Sequence, residues 1–133
     1  MEKTFMIIKP HAIKYRAEIL LRLIDDGYHI LDTKFFNFTD DLLEKFYACH
    51  VDKSFFISLK NYMKSGQCFA IVLKKDKAVK DLRELVGPTN PKDCRLNQLR
   101  SIYGINIDYN GLHATDKKSN VRGEIDLIFG VAK

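Results

Sequence analysis

Thr4-Phe5-Met6-Ile7-Ile8-Lys9-Pro10 is the stretch that decides the fold. A compact apolar run closed at once by Lys9 and Pro10 is the pattern of a strand covered on both faces. Downstream, Ile19, Leu20, Leu23 and Ile24 recur at helical spacing from Glu18, with Gly27 as the stop. Tyr28 to Phe38 is rich in aromatic and β-branched residues and reads as a second strand. Thr39-Asp40-Asp41 opens a short helix carrying Leu42, Leu43, Phe46 and Tyr47. Ser54 begins another, with Phe55, Phe56, Leu59 and Met63 on one face and Ser65-Gly66 at its end.

Cys68 to Leu73 is a third strand, and Lys77 to Val86 is helical through Val79, Leu82 and Leu85 until Gly87-Pro88 breaks it. An irregular stretch from Thr89 to Asn110 follows, with one turn of helix near Leu99. Ser119 caps a last helix whose apolar face holds Val121, Ile125 and Ile128, closed by Gly130. Strands alternating with helices predict an α/β (α+β) sandwich, helices packed on a small sheet, as a single domain over residues 1–133. A loop as long as 89–110 without secondary structure is usually functional or disordered. Here it carries Thr89, Arg95 and Arg100 between two well-patterned helices, which points to function.

Bulk properties narrow the class. The 133 residues are 46% hydrophobic and 29% charged, the balance of an ordinary globular protein. A net charge of +5 suits an anionic partner without choosing among nucleotide, nucleic acid and acidic membrane. Cys49, Cys68 and Cys94 are widely spaced and odd in number, so they read as free thiols in a reducing compartment, with neither a zinc site nor a disulfide framework. The apolar run Phe5-Met6-Ile7-Ile8 is too short for a signal peptide or a membrane span, and the chain reads as cytoplasmic with no membrane partner.

Four histidines are candidates for chemistry. His29 in a strand and His50 in a polar connection read as structural or solvated. His11, just past a strand end, is placed to line a pocket. His113 has better company, in Asn110-Gly111-Leu112-His113-Ala114-Thr115-Asp116 at the end of the long loop and ahead of a helix. Gly111 gives backbone freedom near its ring. Thr115 and Glu124 are candidates to hold the imidazole, since a carboxylate beside a histidine fixes its tautomer. An uncharged imidazole is a competent nucleophile that forms covalent intermediates. Lys9, Arg83 and Arg100 come from different elements and are suited to converge on a polyphosphate. The pair Phe55-Phe56 can offer one ring to the core and another as a platform for a base. There is no GxxxxGK[ST] and no GxGxxG, and neither an RNP-type motif nor zinc-finger spacing indicates nucleic acid.

Taken together, these segments resemble the nucleoside diphosphate kinase family over nearly the whole chain and in order. The opening Thr4 to Pro10 is similar to the family's first strand and lysine. Tyr47, Phe55-Phe56 and Tyr62-Met63-Lys64-Ser65-Gly66 resemble its middle helices and the turn after them. Arg83 with Val86-Gly87-Pro88-Thr89-Asn90-Pro91 resembles the helix and start of its large loop. Asn110 to Asp116 is similar to the signature Asn-x-x-His-(Gly or Ala)-(Ser or Thr)-Asp.

The resemblance implies a ferredoxin-like fold and ping-pong transfer of a γ-phosphate from a nucleoside triphosphate to a diphosphate through a phosphohistidine at His113. It implies Lys9, Tyr47 and Asn110 around the phosphates and sugar, and Arg83, Thr89 and Arg100 on the β- and γ-phosphates with Mg²⁺. Phe55 would stack on the base with Ile107 on its other side, and Thr115 and Glu124 would position His113. It further implies Mg²⁺ held mainly through the nucleotide phosphates, with no dedicated protein metal site, and a homo-oligomer built from dimers, up to hexamers. Stacking as the base contact predicts broad tolerance among nucleotides.

The chain departs from the family pattern in places. His11-Ala12 stands where the family usually has Asp-Gly, and the connection Ile13 to Ala17 is slightly shorter. Leu96-Asn97-Gln98-Leu99 replaces Pro-Gly-Thr-Ile before Arg100, and Ser101-Ile102 replaces Gly-Asp after it. The stretch after the last helix lacks the tail that in relatives helps subunits pack. Two other readings stay open from the residues: a non-catalytic nucleotide- or nucleic-acid-binding module on the same scaffold, and a ferredoxin-like small-molecule sensor.

Overall fold

A computed structural model describes residues 1–48 and 52–130; Cys49 and His50 lie outside them. Strand β1 runs over Glu2–Ile8 and is followed by a 3-10 turn over Pro10–Tyr15. Helix α1 (Arg16–Asp25), strand β2 (His29–Phe36), helices α2 (Asp40–Phe46) and α3 (Phe56–Lys64), strand β3 (Cys68–Lys75) and helix α4 (Ala78–Val86) follow. A second 3-10 turn (Pro91–Asp93), the short helix α5 (Leu99–Tyr103), strand β4 (Leu112–Ala114) and helix α6 (Lys118–Phe129) complete the described chain.

The four strands form one sheet in the order β2-β3-β1-β4, every neighbouring pair antiparallel. The expectation for β1 holds on both faces, and strand alternation explains how. Met6 and Ile8 face a core with Ile19 and Leu23 of α1 and Leu82 and Val86 of α4. Phe5 and Ile7 face a second core with Leu43 of α2, Phe56 and Met63 of α3 and Ile128 of α6. Helices thus pack on both sides of a small antiparallel sheet, a ferredoxin-like α/β sandwich.

Local chemistry sets most boundaries. Thr39 caps α2, its hydroxyl accepting from the Leu42 amide at 3.2 Å, a bond worth about 1 kcal/mol in such positions. Helix α4 stops where Gly87 turns to φ 92°. Elsewhere the reading needs correction. Helix α3 begins at Phe56, because the Lys53 and Phe55 carbonyls close its first turn and the Ser54 hydroxyl makes no cap. Helix α6 begins at Lys118, with Ser119 inside it and the entry stapled by Asn120 donating to Asp116 at 3.0 Å. Phe38 lies beyond the end of β2, buried in the second core.

Candidate active site

The main correction concerns His113. It lies on β4, paired with Ile7 of β1, and not at a loop end. Alternation then sends Leu112 and Ala114 into one core and the imidazole to the other face of the sheet. There it meets Phe46 edge-on at 5.0 Å, Phe5 at 6.3 Å and Tyr47 at 6.4 Å between ring centres. Nothing in the spacing of Phe5 and Phe46 distinguishes these site rings from ordinary core residues.

Helix α6 supplies the partner. Glu124 Oε1 lies 2.8 Å from His113 Nε2 and accepts from Thr115 Oγ1 at 2.7 Å. A carboxylate only accepts, so Nε2 carries the proton and the lone pair sits on Nδ1. Burial pulls the His113 pKa below its usual 6.5, opposed by the hydrogen bond it donates to Glu124 and reinforced by the charges of Lys9 and Arg100. At neutral pH the ring is therefore an uncharged base with a fixed tautomer.

Lys9 leaves the end of β1 as a buried cation. Its Nζ donates to Asn110 Oδ1 at 2.9 Å, and its backbone amide donates to the Gly111 carbonyl at 2.9 Å. Burial lowers its pKa to about 7, with the nearby Arg100 acting in the same direction. Gly111 takes φ 89°, and a β-carbon there would approach the Tyr103 carbonyl to 3.1 Å. That is why the residue two before His113 carries no side chain.

Arg100 is also buried. Nη1 donates to the Gly87 carbonyl at 2.7 Å and Nη2 to the Leu112 carbonyl at 2.8 Å, so the guanidinium spans both ends of the loop. Burial lowers its pKa to about 10, still protonated at neutral pH. Arg83 on α4 reaches the Ala114 carbonyl at 3.4 Å, which sets it beside β4. Thr89 is exposed on the segment after α4. Tyr47 is buried, its hydroxyl pushed well above the usual phenol range by desolvation. Phe55, just before α3, and Ile107 on the loop are 46% and 52% exposed. A cleft of about 380 Å³ is lined by Arg83, Glu84, Gly87, Pro88, Asp93, Arg95 and Gln98.

The substituted tetrapeptide before Arg100 anchors itself. Gln98 accepts from the Arg95 amide and donates to the Glu84 carbonyl, each at 2.8 Å, and Leu99 is buried in the core. Leu96 points outward, 92% exposed. The loop is more ordered than its sequence suggested, because these buried bonds are side chain to backbone and leave no periodic trace.

The family model described as nucleoside diphosphate kinase matches residues 2–133. A nucleoside diphosphate kinase of Methanosphaera stadtmanae is 38% identical over 96% of this chain and 86% of its own. The solved structure of the Aquifex aeolicus nucleoside diphosphate kinase superposes with a TM-score of 0.92 at 34% identity, covering 96% of this chain and 94% of its own. That of a halophilic nucleoside diphosphate kinase from Halobacterium salinarum, in complex with CDP, superposes at 0.91 with 31% identity, covering 96% and 87%. A fixed-tautomer histidine walled by cations and matched along the whole chain by these enzymes leaves one conclusion: the chain belongs to the nucleoside diphosphate kinase family of phosphotransferases.

Proposed function

We propose that His113 is the phosphoryl carrier of this nucleoside diphosphate kinase. The supporting observation is the bond of Nε2 to Glu124, which leaves the lone pair on Nδ1. In the first half-reaction Nδ1 attacks the γ-phosphorus of a nucleoside triphosphate. The bond from phosphorus to the bridging oxygen breaks, and its electron pair leaves with the diphosphate. In the second, a terminal phosphate oxygen of another diphosphate attacks the phosphohistidine and the imidazole departs with the N–P pair. Nε2 keeps its proton throughout, and the Glu124 carboxylate offsets the charge that develops on the ring. Thr115 holds that carboxylate.

Lys9, Asn110 and Tyr47 serve the phosphates and sugar, and Arg83, Thr89 and Arg100 the β- and γ-phosphates. For Arg100 the support is a buried Nε–H with no protein partner among the described residues. Phe55 and Ile107 take the two faces of the base. Mg²⁺ would be carried on the phosphate oxygens with its waters, as this ion commonly binds beside nucleotides. Bound there, it would neutralise charge on the transferred group.

The whole chain acts as one domain, and it assembles as a homo-oligomer starting from a dimer. In support, β2 is an edge strand with exposed Leu31 and Phe35, beside α1 with Leu21 and Ile24 at 60% and 54% exposure. No helix among the described residues is long and apolar enough to cross a membrane. Cys68 and Cys94 are free thiols, which suits the cytoplasm.

The test is covalent. Protein incubated with Mg²⁺ and ATP labelled on the γ-phosphate is separated under alkaline conditions. The expected label survives base, is lost in acid and is discharged by GDP. A chain that binds nucleotide and takes no label would instead be the non-catalytic module.

A further inference from the structure

The departure at His11 has a structural consequence. His11 sits in the 3-10 turn directly after Lys9, and its Nε2 lies 2.9 Å from the Tyr103 carbonyl oxygen. That oxygen only accepts, so Nε2 carries the proton and Nδ1 is left to accept from the Tyr62 hydroxyl, with which it is in hydrogen-bond contact. The ring also stacks on Tyr62 at 5.5 Å, and Tyr109 packs edge-on against both, 6.4 Å from His11 and 4.6 Å from Tyr62.

These contacts surround the base of a small turn. Ile105 donates to the Tyr109 carbonyl at 2.8 Å, and Asn106 Oδ1 accepts from the Asp108 and Tyr109 amides at 3.0 and 2.9 Å. Those bonds fix the turn's shape but not its orientation. Orientation is set at its two ends, Tyr103 and Tyr109, and His11 touches both. The turn carries Ile107, and the chain leaving it carries Asn110, the partner of Lys9.

We propose that His11 is a positioning residue for nucleotide binding: by donating to Tyr103 and accepting from Tyr62, it orients the 103–111 segment so that Asn110 meets Lys9 and Ile107 faces the base. The proposal rests on the nucleotide site described above. It separates His11 from the aspartate common at this position in the family, because a carboxylate cannot donate to the Tyr103 carbonyl and would repel it.

Three variants test this, His11→Leu, His11→Gln and His11→Asp, read by ADP calorimetry and by single-turnover labelling from γ-labelled ATP. Displacing a binding segment by a fraction of an ångström is expected to weaken ADP binding and raise half-saturating ATP by about tenfold in His11→Leu and His11→Asp, while the limiting labelling rate stays within about threefold. His11→Gln keeps a donor that reaches Tyr103 and is expected to recover most of the affinity. Should His11→Leu prove unfolded, the contrast of His11→Gln with His11→Asp carries the test. The proposal is overturned if His11→Asp matches the parent, if His11→Gln is no better than His11→Asp, or if the limiting rate falls as far as the affinity. A parent chain that binds ADP but takes no label would sink the phosphohistidine reading and leave calorimetry to judge His11 alone.

Discussion

His113 stands on a strand paired with β1 and is held by a helix, whereas Arg100 stands on five residues of helix inside a long loop and holds its surroundings itself. The wall around His113 draws its rigidity from ladder bonds and two apolar cores. The loop draws its own from side chains reaching backbone carbonyls: Arg100 to Gly87 and Leu112, Gln98 to Glu84. A wall of the first kind tolerates no loss of its reacting atom but survives that loss as a fold. A loop of the second kind can change sequence widely so long as its few anchors remain. That accounts for Leu96 to Leu99, where Leu96 and Asn97 turn outward, Gln98 makes the bonds and Leu99 enters the core.

The comparison can be broken first at the wall. His113→Ala is expected to lower transfer by about 10⁴-fold or more, since the covalent path is gone, while ADP affinity changes little. Calorimetry alongside a transfer assay reads both, and a matching collapse of affinity would mean the ring builds the binding surface too. The loop is the next place to press. Arg100→Lys keeps the charge but cannot span two carbonyls as a planar fork, so unfolding stability should drop by about 2–3 kcal/mol with nucleotide binding weakened in parallel. Urea melts with an unchanged midpoint would show that the loop is anchored elsewhere.

The smallest effect lies in pH, where wall and loop meet at Lys9. Burial sets Lys9 at about 7 and holds His113 below 6.5, so the free protein has a charged lysine and a neutral histidine only between the two. As pH rises through about 7 the ammonium is lost, and kcat/KM should fall by about tenfold per unit; as pH falls the histidine protonates and the nucleophile is lost. At saturating nucleotide the alkaline limb should move upward, because bound phosphate favours the charged lysine. A kcat/KM flat from pH 7 to 9 would show that Lys9 stays charged without ligand.

Much of this was legible in local chemistry. The run Thr4 to Ile8, the cap at Thr39, the stripe Val79, Leu82 and Leu85 and the break at Gly87 each follow from nearest-neighbour rules, and each stands in the structure. The segment Asn110 to Asp116 marked the site because its members are consecutive, so one short match carried several residues at once. Strand β4 escaped notice because three residues show no period; they become a strand only when β1 offers its edge.

What the sequence determined by itself was therefore whatever a few neighbouring residues can specify: turns, caps, apolar faces and the signature around His113. Only the tertiary structure decided which nitrogen of His113 holds the proton, because Glu124 lies eleven residues away on another element. It alone decided that Arg100 ties the loop, that Lys9 is desolvated to about 7, and that His11 bridges Tyr62 and Tyr103. Each of these depends on burial and on partners remote along the chain, and a pKa or a hydrogen bond is a property of that assembled surrounding and not of the residue type.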